Sequence, residues 1–156
     1  MSRLSAIIAT LCVSIAFAAP LQAKEVFKAR LSGAREVPPV QTPTSGRAWL
    51  QVDRKETKVA IRLRVKRGKD IVAAHVHCAP EGMEGPVVVF LAGPVPTGLD
   101  VNGGWIDKAS FDEGDIVDPA CGATIADLAD AIRDGDAYVN VHSVGNPGGV
   151  IRGQLK

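Results

Sequence analysis

Apolar and polar side chains alternate with a period of two along much of this chain. Phe27, Ala29 and Leu31 are separated by Lys28 and Arg30. Ala48, Leu50 and Val52 are separated by Trp49 and Gln51, and Val59, Ile61, Leu63 and Val65 by Ala60, Arg62 and Arg64. A strand sends successive side chains to opposite faces, so this is the pattern of half-buried strands. Further strands are expected over Val72–Cys78, Val87–Leu91, Trp105–Phe111, Ala137–Ser143 and Val150–Leu155. Turn-forming clusters separate them: Pro38-Pro39 and Pro43, the polar hairpin Asp53–Thr57, Gly82 to Pro86, Gly93 to Gly98, and Pro147-Gly148-Gly149. About eight short strands with such punctuation predict an all-β antiparallel fold, closed as a barrel or stacked as a two-sheet sandwich. One segment has helical periodicity instead. Thr124 and Asp127 make a capping box, Ile125, Leu128 and Ile132 share a face, and Gly135 can end the helix. This short helix is expected to pack as a lid or crossover between strands.

The first residues follow a different pattern. Arg3 precedes an uncharged apolar run from Leu4 to Ala19, Pro20 breaks it, and small Ala23 stands before Lys24. Residues 1–23 are read as a cleaved secretory signal peptide, since the run is too short to cross a bilayer. Leu21 is larger than a cleavage site prefers two positions before Ala23, and Leu11 before Cys12 is unsuited to lipid attachment. The working domain is then residues 24–156, exported to the periplasm or secreted. Without Arg3 it has 17 basic residues against 17 acidic ones. That balance argues against nucleic acid or a membrane surface as partner. The one basic stretch, Arg62 to Lys69, alternates with Leu63 and Val65 and reads as a solvated strand face. Two cysteines remain after cleavage, Cys78 and Cys121, and an exported domain would join them in a disulfide, two unlinked thiols being the alternative.

The three histidines are the candidate chemistry. His75 and His77 are two apart in Ala73-Ala74-His75-Val76-His77, so both imidazoles project from one face. His142 ends Tyr138-Val139-Asn140-Val141-His142, where Asn140 shares its face. Two histidines from one strand and one from another can converge on copper, zinc, iron or nickel. A histidine in a strand can equally be satisfied by a hydrogen bond and bind nothing. Cys78 points away from His75 and His77, and no blue-copper set of ligands is present. Glu36, held between Arg35 and Pro38-Pro39, and Asn140 are candidates to support the ligands. Arg152, in the apolar run Val150-Ile151-Arg152-Gly153, either lies exposed or orients an anion toward the histidines. No nucleophile elbow, phosphate loop or dinucleotide fingerprint occurs.

Several segments together resemble the chordin-type (CHRD) domain. They are Leu31-Ser32-Gly33-Ala34-Arg35-Glu36-Val37-Pro38-Pro39-Val40, Ala73-Ala74-His75-Val76-His77, Gly85-Pro86-Val87-Val88-Val89-Phe90-Leu91, and Ala137 to His142 with Pro147 to Leu155. This resemblance implies a secreted β-sandwich over residues 24–156. The histidine segments with their Gly-rich loops are also similar to the copper site of copper/zinc superoxide dismutases. That similarity implies a Greek-key sandwich with His75, His77 and His142 at copper-ligand positions. The chain lacks the fourth, zinc-bridging histidine, the zinc cluster and the guiding arginine before the final strand.

The leading expectation is an exported domain that binds one copper ion, with superoxide-dismutase-like turnover as a further step. Zinc is the alternative metal. The rival functions are copper storage or delivery without catalysis, and an extracellular interaction module with structural histidines and an unknown protein partner.

Overall fold

The computed structural model describes residues 23–103 and 109–156. The proposed signal peptide and the segment Trp105–Lys108 of one expected strand lie outside the described residues, apart from Ala23. Nine strands are present among the described residues: β1 Glu25–Ser32, β2 Ser45–Val52, β3 Lys58–Lys66, β4 Gly68–Cys78, β5 Val87–Ala92, β6 Leu99–Val101, β7 Ser110–Asp112, β8 Ala137–Ser143 and β9 Asn146–Gln154. They form one antiparallel sheet in the order β5-β4-β8-β9-β1-β2-β3-β7, with β6 on β4. Neighbours β4–β8 and β9–β1 are distant in sequence, so the chain crosses over in the manner of a Greek key. The sheet curls until its edges meet: Val89 of β5 bridges Ile116, and the Val117 N–H donates to the Val88 carbonyl at 3.0 Å. The all-β sandwich or barrel expected from the alternation is what forms.

The inward residues are the predicted ones. Phe27, Ala29, Leu31, Leu50, Val52, Val59, Ile61, Leu63 and Val65 fill the core with Val76, Val139, Val141 and Ile151. Helix α1, Ile125–Asp134, adds Ile125, Leu128, Ala129 and Ile132 to the same core and leads into β8 as a crossover. Its start is the expected capping box. Thr124 Oγ1 accepts from the Asp127 N–H at 3.1 Å, and the Asp127 carboxylate accepts from the Thr124 N–H at 3.0 Å. Cys78 and Cys121 are disulfide-bonded across 43 positions, with Cα atoms 5.6 Å apart. The bond ties the end of β4 to the turn before α1, and it fits an oxidising compartment.

Some boundaries differ from the sequence pattern. β4 begins at Gly68 rather than Val72, because β6 pairs with Gly68 and Ile71 and β8 with Ile71, carrying the strand through Lys69 and Asp70. β9 begins at Asn146 and runs through Pro147, a residue read as turn. β6 lies between the expected loop ending at Gly98 and the expected strand from Trp105, where the pattern marked no strand.

Candidate metal centre

The outer face of β4, β8 and β9 is organised in cross-strand rows. His77 lies opposite Tyr138, which lies opposite Gln154. His75 lies opposite Asn140, which lies opposite Arg152, and Ala73 lies opposite His142. On the inner face, Ala74, Val76, Val139 and Val141 are fully buried in the core. The apolar side of each strand therefore fixes the direction in which the histidines point, and the register brings all three together.

One nitrogen from each of His75, His77 and His142 lies within 4.8 Å of the other two. Imidazole binds an ion such as zinc at about 2.0–2.1 Å, so two ligands on one ion lie at most about 4.2 Å apart. Side-chain rotations that close the widest pair by about 0.6 Å meet that limit. The backbone selects which nitrogens face inward. His77 Nδ1–H donates to the Gly85 carbonyl at 2.9 Å, and His142 Nδ1–H donates to the Pro147 carbonyl at 2.9 Å. Both rings thus present an Nε2 lone pair, the arrangement usual for metal-binding histidines. His142 Nε2 accepts from His75 Nδ1 at 2.9 Å, while His77 Nε2 is buried with no hydrogen-bond partner. A buried lone pair without a partner is costly unless something occupies it.

The electrostatics keep the three rings neutral. Burial lowers the pKa of His75 to about 4, with His142 and His77 adding to the effect. Burial also lowers those of His77 and His142, outweighing the carbonyl bonds that raise them. Neutral imidazoles are the form that binds metal.

A polar layer supports the rings. The Tyr138 ring stacks on His77 at 4.8 Å between centroids and 11° between planes. The Arg152 guanidinium lies 3.4 Å from the centre of the Tyr138 ring and donates to the Pro80 carbonyl at 3.2 Å. Arg152 is only 3% exposed, so the exposed position allowed by the sequence is not the one it takes. Asn140 Nδ2 donates to both carboxylate oxygens of Glu36, at 3.1 and 3.0 Å. Glu36 and Asn140 are therefore paired beside the histidine row, and no direct bond between either and a histidine is seen among the described residues. Gly149 covers the pair with bare backbone. A Cβ there would lie 2.5 Å from Asn140 Nδ2 and 2.7 Å from the Glu36 oxygens, and its φ of 141° is itself unsuited to a side chain.

Sequence reasoning did not single out Gly85, Pro147 or Tyr138. Gly85 is the most constrained of them: its carbonyl takes the His77 proton and its N–H donates to Tyr138 Oη at 3.3 Å. A Cβ on Gly85 would fall 1.8 Å from the Cys78 carbonyl oxygen. Tyr138 shares the alternation of Asn140 and His142, which was the available signal.

Burial pushes the Glu36 carboxyl up to about 7, against the lowering by Arg152 and Asn140. Between the ordinary value of 4.5 and 7 the folded state then holds this proton more firmly than the unfolded state. The contribution of Glu36 to stability should fall as pH rises through that window. The histidines act oppositely: their lowered pKa values give stability above about 6.5 that is lost on acidification toward 4. Comparing urea unfolding of wild type and Glu36→Gln from pH 4.5 to 7.5 isolates the carboxyl. The variant should gain stability relative to wild type as pH rises.

No curated protein and no solved structure matches the chain. A family model does match, that of a module found in extracellular proteins, in keeping with the disulfide. It runs from Phe27 in β1 to Leu155 just beyond β9, across the whole histidine site, and by it the chain belongs to the CHRD domain family, residues 27–155.

Proposed function

We propose that this CHRD domain is an exported, periplasmic or secreted, copper-binding protein whose single site is formed by His75, His77 and His142. The observation that carries the proposal is the convergence of three neutral imidazoles, one with a buried Nε2 that nothing else satisfies. Among the described residues no carboxylate or thiolate joins the set, since Glu36 is bonded to Asn140 and Cys78 to Cys121. An all-imidazole set favours a borderline metal, and copper heads the affinity order of the divalent ions. Three ligands would leave a bound ion able to take a further small ligand, and His75 is the least buried of the three.

Bound copper would supply one-electron chemistry at that further position. The residues around it would confine the site. Tyr138 and Arg152 hold His77 from behind, and buried Arg152 places positive charge near His77. That charge would favour a small anion such as superoxide, although the Arg152 guanidinium is already bonded to Pro80.

Titration of metal-free protein with Cu(I), Cu(II) and Zn(II) tests the binding. We expect one copper per chain, held more tightly than zinc. Superoxide turnover by the loaded protein then separates catalysis from storage or delivery: turnover no greater than that of free copper would leave the binding function alone. Absence of stoichiometric metal would favour an interaction module with structural histidines.

A further inference from the structure

The outer face of β1, β2 and β3 gathers cations that the sequence keeps apart. The register places Arg30 opposite Arg47 and Arg47 opposite Arg64, and it places Lys28 opposite Trp49 and Trp49 opposite Arg62. Lys66 follows on the same side of β3. Adjacent strands are about 4.8 Å apart and alternate residues about 7 Å, so these groups share a patch about 10 Å across the three strands and about 14 Å along β3. No acidic residue occurs in Val26–Ser32, Ser45–Gln51 or Lys58–Lys66. Among the described residues none of these six cations forms an ion pair, whereas Arg133 pairs with Glu25, Glu56 and Asp130. The linear stretch from Arg62 is thus one part of a surface that only the fold assembles.

Like charges directly opposite one another destabilise a sheet. Three arginines in one row therefore oppose folding unless an anion sits among them. Trp49 occupies the middle of the face, flanked across the strands by Lys28 and Arg62 and along β2 by Arg47 and Gln51. It lies in an open groove of about 870 Å³ whose walls include Val26, Ala60 and Arg64. An indole offers an apolar face for stacking on the C–H face of a sugar ring, and guanidinium forks match carboxylates in two parallel bonds. The disulfide fits an oxidising compartment outside the cytoplasm, away from the cell's nucleic acids.

We propose that the β1–β2–β3 face binds an acidic polysaccharide, with Trp49 stacked on a sugar ring and Arg30, Arg47, Arg62 and Arg64 pairing with its carboxylates. This binding does not depend on metal at the histidines. It is tested with the full domain and alginate, a polyuronate, by calorimetry over a range of salt concentrations. Wild type should bind alginate and not neutral dextran, with affinity falling as salt rises. Arg47→Glu with Arg64→Glu should weaken binding by about tenfold or more, since a hydrogen bond to a charged group is worth about that factor. Arg47→Gln with Arg64→Gln should weaken it less and melt no lower than wild type at low salt, showing that the effect is not unfolding. Trp49→Ala should weaken alginate binding while leaving the salt dependence unchanged. Unaltered affinity in both arginine variants would overturn the proposal. So would tighter binding of duplex DNA or phosphatidylglycerol vesicles than of alginate at equal anion concentration.

Discussion

Replacing His77 by alanine should lower copper affinity by about 100-fold or more while leaving the domain folded. Loss of a group that merely orients a ligand typically costs about 10–100-fold, and His77 is itself a proposed ligand. The fold should survive, because the substitution removes a buried nitrogen that has no partner and disturbs no core residue. Its structural costs are the lost stack on Tyr138 and the loss of the hydrogen bond to the Gly85 carbonyl. Competition with a chromophoric copper chelator measures the affinity, and circular dichroism checks the fold. Combined His75→Ala, His77→Ala and His142→Ala should abolish stoichiometric binding. An unchanged affinity in the triple variant would falsify the proposed site.

Removing the disulfide should produce the largest loss of stability. Closing a loop across 43 positions restricts the unfolded chain by about 4 kcal/mol in the chain-entropy description. Against a total stability on the order of 5–15 kcal/mol, that is a large fraction. Cys78→Ser with Cys121→Ser should lower the melting temperature by roughly 10–20 °C. Cys78 directly follows His77 and its carbonyl packs against the loop at Gly85, so metal affinity should fall as well. Reversible urea or thermal unfolding of the double variant measures the first effect, and copper titration the second. A shift of only a degree or two would mean that the barrel holds the β4 end without the bond.

Much of this architecture was legible as alternation. β1, β2 and β3 each bury one face and expose much of the other, so period two marks them clearly, whereas β8 is buried throughout and alternates only in residue type. Helix α1 announced itself through Thr124, Asp127 and Gly135, whose capping contacts are local in sequence. The histidine face was legible for the same reason, since parity within a strand fixes direction. Which strands are neighbours is not written locally. The pairing of β4 with β8 depends on crossovers, and only that pairing brings His142 to His75. Glu36 and Asn140 meet across 104 positions, and Arg152 is covered by loops and by Tyr138 rather than by anything in its own strand. A charged residue in an apolar run looks the same from sequence whether it is exposed or stacked on a ring. The strand ends were hidden too: polar Lys69 and Asp70 and the turn-former Pro147 do not continue the alternation, yet β4 and β9 extend through them.

The hydrogen bond between His75 and His142 has a consequence for selectivity. Because the Nδ1 proton of His142 is committed to Pro147, the proton in the His75–His142 bond belongs to His75 Nδ1. That nitrogen can serve as a ligand only after its proton has moved to the other ring nitrogen or to water. Any cation entering here must therefore compete with a hydrogen bond before it gains its third ligand. At the proposed metal site the pair would work as a latch with a threshold: ions that bind imidazole weakly, such as magnesium or calcium, would leave it shut, and those that bind it strongly would open it.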